Sequence, residues 1–258
     1  MFEWLKRFRK VAKQLTVAPR AEEKSGRNTK AINLKPYTPE PKAFLGQLAY
    51  LQLSNFEILT AALKYSPNTQ YKAELSEAAA KSFDKYRQLS KKLVELGADP
   101  AEQMNPFKER IAVFHSNTTG LDWYEVIIKV YLSSGLLDDF YLRLASGLKE
   151  DLQQEVEKAL KDRAFEKFAK RVLSEAVASD PVLGSRLALW GRRLMGDVLL
   201  EIRAAFDNRK LAHIPKTRKL SVEEENKVNL AAYAKLEPLI SELTGTHSQR
   251  MEALGLTA

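Results

Sequence analysis

The sequence predicts an all-α protein, an antiparallel four-helix bundle with additional C-terminal helices, on three observations. Apolar residues recur at spacings of three and four almost without interruption from Ala43 onward, and alternating strand-like segments do not occur. Proline and glycine fall mainly at breaks in that pattern: Pro67, Gly97 to Pro100, Pro106, Gly120, Gly147, Asp180-Pro181 and Pro215. Between the breaks lie long helices near 43–64, 70–96, 122–146 and 150–178, and four helices with apolar faces bury one another as a bundle. The stretch 101–119, with a short helix around Pro106–Phe114, is long enough to cross over between the second helix and the third. A fifth helix opens with Asp180 as N-cap and Pro181 at its first position. A sixth opens with the capping-box pattern Ser221-x-x-Glu224, and Pro238 is expected to bend or break it.

Length and composition narrow the function. At 258 residues and 45% hydrophobic, the chain has material for a full core, and no run of about 20 apolar residues could cross a bilayer. The absence of cysteine excludes disulfide scaffolds, zinc ribbons, Cys-ligated clusters and cysteine nucleophiles, and three histidines (His115, His213, His247) argue against a His-rich metal site. The N-terminus lacks the apolar segment of a secretory signal, so the chain reads as cytoplasmic.

The net charge of +8 is unevenly placed. Residues 1–42 carry 11 basic and 4 acidic side chains, while the rest of the chain carries 30 and 29. In residues 1–15, Phe2, Leu5, Phe8, Ala12 and Leu15 follow helical spacing, with Lys6, Arg7, Arg9, Lys10 and Lys13 mostly elsewhere on the wheel. This is a basic amphipathic helix, and residues 16–42, rich in proline and charge, read as a flexible linker to a helical domain over 43–256. Such an arm suits an anionic membrane surface, RNA phosphates or a protein groove, and would place the protein peripherally at the inner membrane surface in the first case. Arg203–Lys219 forms a smaller basic patch.

Within the bundle, the informative residues are polar ones on apolar faces, because a buried polar group is costly unless paired. Gln52 shares a face with Leu45, Leu48, Phe56 and Leu59, and Ser82 and Lys85 share one with Leu75, Ala78, Leu89 and Leu96. Ser134 is in register with Ile127, Val130 and Tyr141, with Asp138 one turn on, and Asp162 is in register with Phe165, Ala169 and Val172. One polar feature per helix at similar depth predicts a polar layer. Such a layer is either a hydrogen-bonded network that fixes register or the place where a carboxylate di-iron site is built, although no Glu-x-x-His occurs in the chain. Trp190, among Leu187, Leu189 and Leu194, reads as core, and no nucleophile constellation is found, so no catalytic residue is assigned.

The stretches FLGQLAYLQLSNFEIL (44–59), LVELGADPAEQMNPF (93–107), DWYEVIIKVYLSSGLLDDFY (122–141), SDPVLGSRLALWGRRLMGDVL (179–199) and THSQRMEALGL (246–256) resemble the ferritin-like, tRNA isopentenyladenosine hydroxylase-like proteins of actinobacteria. The resemblance covers about 43–256 and implies a ferritin-like bundle whose active members are non-haem di-iron oxygenases acting on a modified tRNA base. It also implies where ligands would stand. The glutamate of the first helix falls on Gln52, the Glu-x-x-His of the second on Ser82-x-x-Lys85, the carboxylate of the third on Ser134, and the acid-x-x-His of the fourth on Asp162-x-x-Phe165.

Only Asp162 keeps its chemistry, and Lys85 places a fixed positive charge where cations would sit. The residues therefore favour a degenerate site without cofactor, with Lys85 in a core ion pair with Asp162 or Asp138, and a protein that binds a partner. The alternative is an active di-iron hydroxylase that draws ligands from other acids such as Glu57, Asp138 or Asp139.

Overall fold

A computed structural model of the chain describes residues 33–206, 214 and 218–257. The basic arm at 1–15, most of the segment 16–42 and much of the Arg203–Lys219 patch lie outside them. All the described residues belong to one compact unit, Ala31–Ala258.

The described end of the 16–42 segment is packed onto the bundle instead of forming linker. Leu34 is buried in the core, Lys35–Tyr37 makes one 3-10 turn, and the Thr38 hydroxyl donates to the carbonyl of Leu144 at 2.6 Å. Helix α1 (Pro41–Ala62) then starts two residues earlier than the apolar period announces. The Glu40 carboxylate accepts from the Lys42 and Ala43 amides, and Pro41 stands in the first turn, where its missing N–H costs nothing.

Helix α2 (Thr69–Glu95) follows a 3-10 turn at Leu63–Tyr65, with the Asn68 side chain capping its first turn through the Tyr71 amide at 2.8 Å. Helix α3 (Pro100–Asn117) is the crossover, and it is helical throughout, where the sequence reading gives a short helix. Asp99 caps it, and Met104, Ile111 and Phe114 are buried, so Pro106 removes one backbone donor without ending the helix.

Helix α4 (Trp123–Ala145) is the most buried, capped by Asp122 through the Glu125 amide. The predicted long helix over 150–178 is two helices, α5 (Glu150–Leu160) and α6 (Ala164–Ser179). The break has no proline or glycine. Its cause is Asp162, whose Oδ1 accepts from the Ala164 amide at 2.8 Å and so competes with the helical ladder.

Helix α7 (Pro181–Ala204) starts at the predicted Asp180 cap, and α8 (Val222–Glu252) at a complete Ser221/Glu224 capping box. Helix α8 runs unbroken past Pro238, flanked by the buried Leu236, Leu239, Leu243 and Met251. Burial on both sides of the proline outweighs the one lost hydrogen bond.

The core consists of two apolar clusters that order the helices. One gathers Phe44, Leu45 and Leu48 of α1, Leu89 and Leu93 of α2, and Leu136, Phe140 and Tyr141 of α4. The other gathers Leu59 of α1, Leu75 and Ala79 of α2, Ile127 and Ile128 of α4, and Val172 and Leu173 of α6. Helices α1 and α2 thus run antiparallel, α2 and α4 run parallel across the crossover α3, and α5–α6 runs back, the one-crossover ferritin-like arrangement. Helices α7 and α8 pack on α4.

Close approach of α1 and α3 depends on Gly46. A Cβ there would overlap the backbone carbonyl of Gln103. Gly46→Ala is expected to destabilise the fold by about 1–3 kcal/mol, read as a lower urea midpoint with an unchanged slope.

Candidate functional site

Between the two apolar clusters lies the polar layer. Along α1 the buried apolar residues pause between Leu51 and Leu59, along α2 between Ala79 and Leu89, and along α4 between Leu132 and Leu136. In that gap a cavity of about 40 Å³ is lined by Gln52, Asn55, Ser82, Lys85, Val130, Tyr131, Ser134, Gly135, Asp138, Asp162, Arg163, Phe165 and Glu166. All six predicted ligand positions and Asp138 therefore stand around one space. It is polar, and large enough for about three water molecules.

Asp138 is the hub. Its residue is 6% exposed, its Oδ1 accepts from the Gln52 Nε2 at 3.1 Å, and its Oδ2 lies 3.6 Å from the Lys85 ammonium. Burial pushes its carboxyl above the usual range, while Lys85, Arg163 and the Gln52 amide pull it down. The lysine's partner is thus Asp138 and not Asp162. The helix break leaves Asp162 exposed just ahead of α6, accepting from the Ala164 amide, and Phe165 brings a ring to the cavity edge. Ser82 and Ser134 donate to the carbonyls of Ala78 and Val130 in their own helices, which satisfies each hydroxyl proton without a ligand.

A second charged group borders the cavity. Arg163, in the α5–α6 break, bonds Asp139 Oδ1 at 3.2 Å and Glu166 Oε2 at 3.4 Å. Arg250, from α8, bonds Asp139 Oδ2 at 3.1 Å and Glu166 Oε1 at 3.0 Å. Burial works against the Arg250 charge, but Glu166 and Asp139 outweigh it and hold the guanidinium above its ordinary pKa. Sequence reading missed Arg163, Glu166 and Arg250. The signal for Arg250 is the one used on the other helices: with His247, Met251 and Leu254 it makes an i, i+3, i+4, i+7 face, polar within an apolar stripe.

The remaining candidates stand apart from the cavity. Glu57 is exposed. Trp190 is partly buried and donates its indole N–H to the carbonyl of Glu125 at 3.2 Å, with Arg193 over its ring. His115 and His247 hold buried ring nitrogens without hydrogen-bond partners, and burial lowers both, His115 to about 4. Beside His115 the buried Lys129, lowered by burial to about 8, donates to the His115 carbonyl at 3.3 Å.

This donor set does not fit a di-iron centre. Such a centre needs several carboxylate oxygens and imidazoles. Asp138 is held by Gln52 and Lys85, and Asp139 and Glu166 are held by two guanidiniums. Among the described residues no group of three or more His, Cys, Asp or Glu could hold a metal ion.

Removing one member of the Lys85–Asp138 pair leaves a buried charge uncompensated, so Lys85→Met and Asp138→Leu are each expected to cost about 3–5 kcal/mol at neutral pH. The double variant should recover most of that loss. For pH the sign follows from the raised Asp138 pKa: its contribution to stability is full below the unfolded value and is lost as pH rises through the folded one. Lys85→Met raises that pKa further, so its deficit against the wild type should shrink as the pH is lowered. Urea midpoints for the four proteins across pH check both statements.

A family model of ferritin-like domains from actinomycetes matches residues 37–214, well over half of the chain. No curated protein matches it. The match runs from α1 through α7 and ends before α8, the helix that supplies Arg250. With the one-crossover bundle and the polar layer at its centre, the chain belongs to the ferritin-like domain family of actinomycetes.

Proposed function

We propose that this chain is a metal-free ferritin-like protein that acts by binding a partner and not by oxidation. Its motifs ally it to the tRNA-hydroxylase-like branch of the fold, with the di-iron positions degenerate. The observation that carries this reading is the Lys85 ammonium 3.6 Å from Asp138, at the place where the bundle would otherwise gather carboxylates around cations. A fixed cation there repels a metal ion and occupies the buried carboxylate at the centre of the layer. Metal analysis of protein purified without chelator tests it. The expected content of iron, manganese and zinc is well below one equivalent per chain, and near-stoichiometric iron or manganese would overturn the reading in favour of a hydroxylase.

The binding element is the basic arm. Its Phe2, Leu5 and Phe8, set against Lys6, Arg9, Lys10 and Lys13, match a helix that lies in the headgroup region of an anionic membrane. Reversing Lys6, Arg9, Lys10 and Lys13 to Glu should abolish sedimentation with phosphatidylglycerol vesicles and leave thermal stability unchanged. Loss of tRNA retention, with vesicle binding absent in both proteins, would assign the arm to RNA.

A further inference from the structure

The Arg250 contact differs in kind from an ordinary surface ion pair. Its two terminal nitrogens reach two different carboxylates, Nη1 to Glu166 Oε1 at 3.0 Å and Nη2 to Asp139 Oδ2 at 3.1 Å. Its guanidinium lies 5.7 Å from the centre of the Tyr131 ring. Below it is Gly135, where a Cβ would stand 2.5 Å from the Arg250 Cζ and Nη1. Two acceptors, an aromatic face and a missing side chain together outline a seat for a planar, forked cation. The Arg250 side chain is 11% exposed, against 32% and 35% for Asp139 and Glu166, so the seat covers its occupant better than its own rim.

We infer that the α4–α6 surface carries a guanidinium-recognition site, that the chain's own Arg250 fills it, and that this occupancy latches the C-terminal helix α8 onto the bundle. The chemistry selects guanidinium. Arg163 already takes the other oxygen of each carboxylate, so only two acceptors remain, too few for a divalent ion that needs six or so oxygen ligands. An ammonium is a point charge without the fork that meets both acceptors or the plane that faces Tyr131.

The two carboxylates and two guanidiniums also balance in charge, so withdrawing Arg250 leaves one negative charge in excess at the cavity edge. Gly135, Arg163 and Glu166 line both the seat and the cavity. Release of the latch therefore opens the polar layer on that side. The seat lies within the segment that matches the family, while its occupant comes from a helix beyond it. An arginine side chain of a partner protein would compete for the same place.

The test uses the full chain with Arg250→Ala, compared in about 20 mM guanidinium chloride and the same concentration of sodium chloride, far too little denaturant to unfold a domain. The variant is expected to melt about 5 °C or more below the wild type and to exchange the amides of the last turns of α8 about tenfold faster. Guanidinium should restore at least half of both losses, sodium should restore neither, and the wild type should respond to neither.

Gly135→Ala is the control, because its methyl fills the seat: it should loosen α8 to a similar degree and gain nothing from guanidinium. Equal effects of the two salts on Arg250→Ala would overturn the site, and wild-type exchange in α8 of either variant would overturn the latch. If Arg250→Ala does not fold in either salt, α8 exchange in Gly135→Ala decides.

Discussion

A carboxylate at the centre of a helical bundle must be met by positive charge, and the arrangement of this protein follows from how that requirement is satisfied. Asp138 sits between two apolar clusters, largely withdrawn from bulk water, and the compensation comes from Lys85 one helix away, with Gln52 donating from another. The carboxylates at its border, Asp139 and Glu166, are met by two arginines in the same way. A slip of α1, α2 or α4 by one turn would drive Lys85 or Asp138 into leucine on either side. The layer thereby fixes helix register, whatever it contributes to net stability.

The break between α5 and α6 belongs to the same requirement. A continuous helix over 150–178 would bring Asp162 toward the core with Phe165 and Ala169, adding a second buried carboxylate to a layer that has one lysine. Instead, Asp162 spends its charge on the first turn of α6, and Arg163 reaches back to Asp139 and forward to Glu166. An acid is removed from the interior and a base is placed at its edge by one local event, the Asx-type bond to Ala164.

The layer was legible in the sequence because each of its residues interrupts an apolar period: Gln52, Ser82, Lys85, Ser134 and Asp138 are anomalies on faces otherwise made of leucine, isoleucine and alanine. Periodicity narrows Lys85's partner to two acids, Asp138 and Asp162, and the choice turns on whether 161–163 is helical. Periodicity runs straight through that stretch because the competing bond is local and carries no spacing signature. The arginines were illegible for another reason. Arg163 acts from a break that no spacing announces, and Arg250 acts from a helix far along the chain, so their convergence on α4 is a fact of packing. In the sequence helix α3 reads as beginning at Pro106, because a proline suits a first turn, whereas Asp99 and Pro100 open it earlier and the burial of Met104 carries it through Pro106.

Burial treats the other interior bases differently, and the contrast locates what governs the charge of this core. Arg250, facing two carboxylates, keeps its guanidinium above the ordinary pKa despite burial, whereas Lys129 is pushed down to about 8 and His115 to about 4. Lys129 has the His115 carbonyl and the Phe114 ring for company, dipoles and a quadrupole where Arg250 has whole charges. Desolvation acts against all three, so its presence cannot explain the difference; the placement of Asp139 and Glu166 does. Charge at the centre of this bundle is therefore set by where the few acids lie. Side-chain cations tethered to them can neither exchange nor change oxidation state.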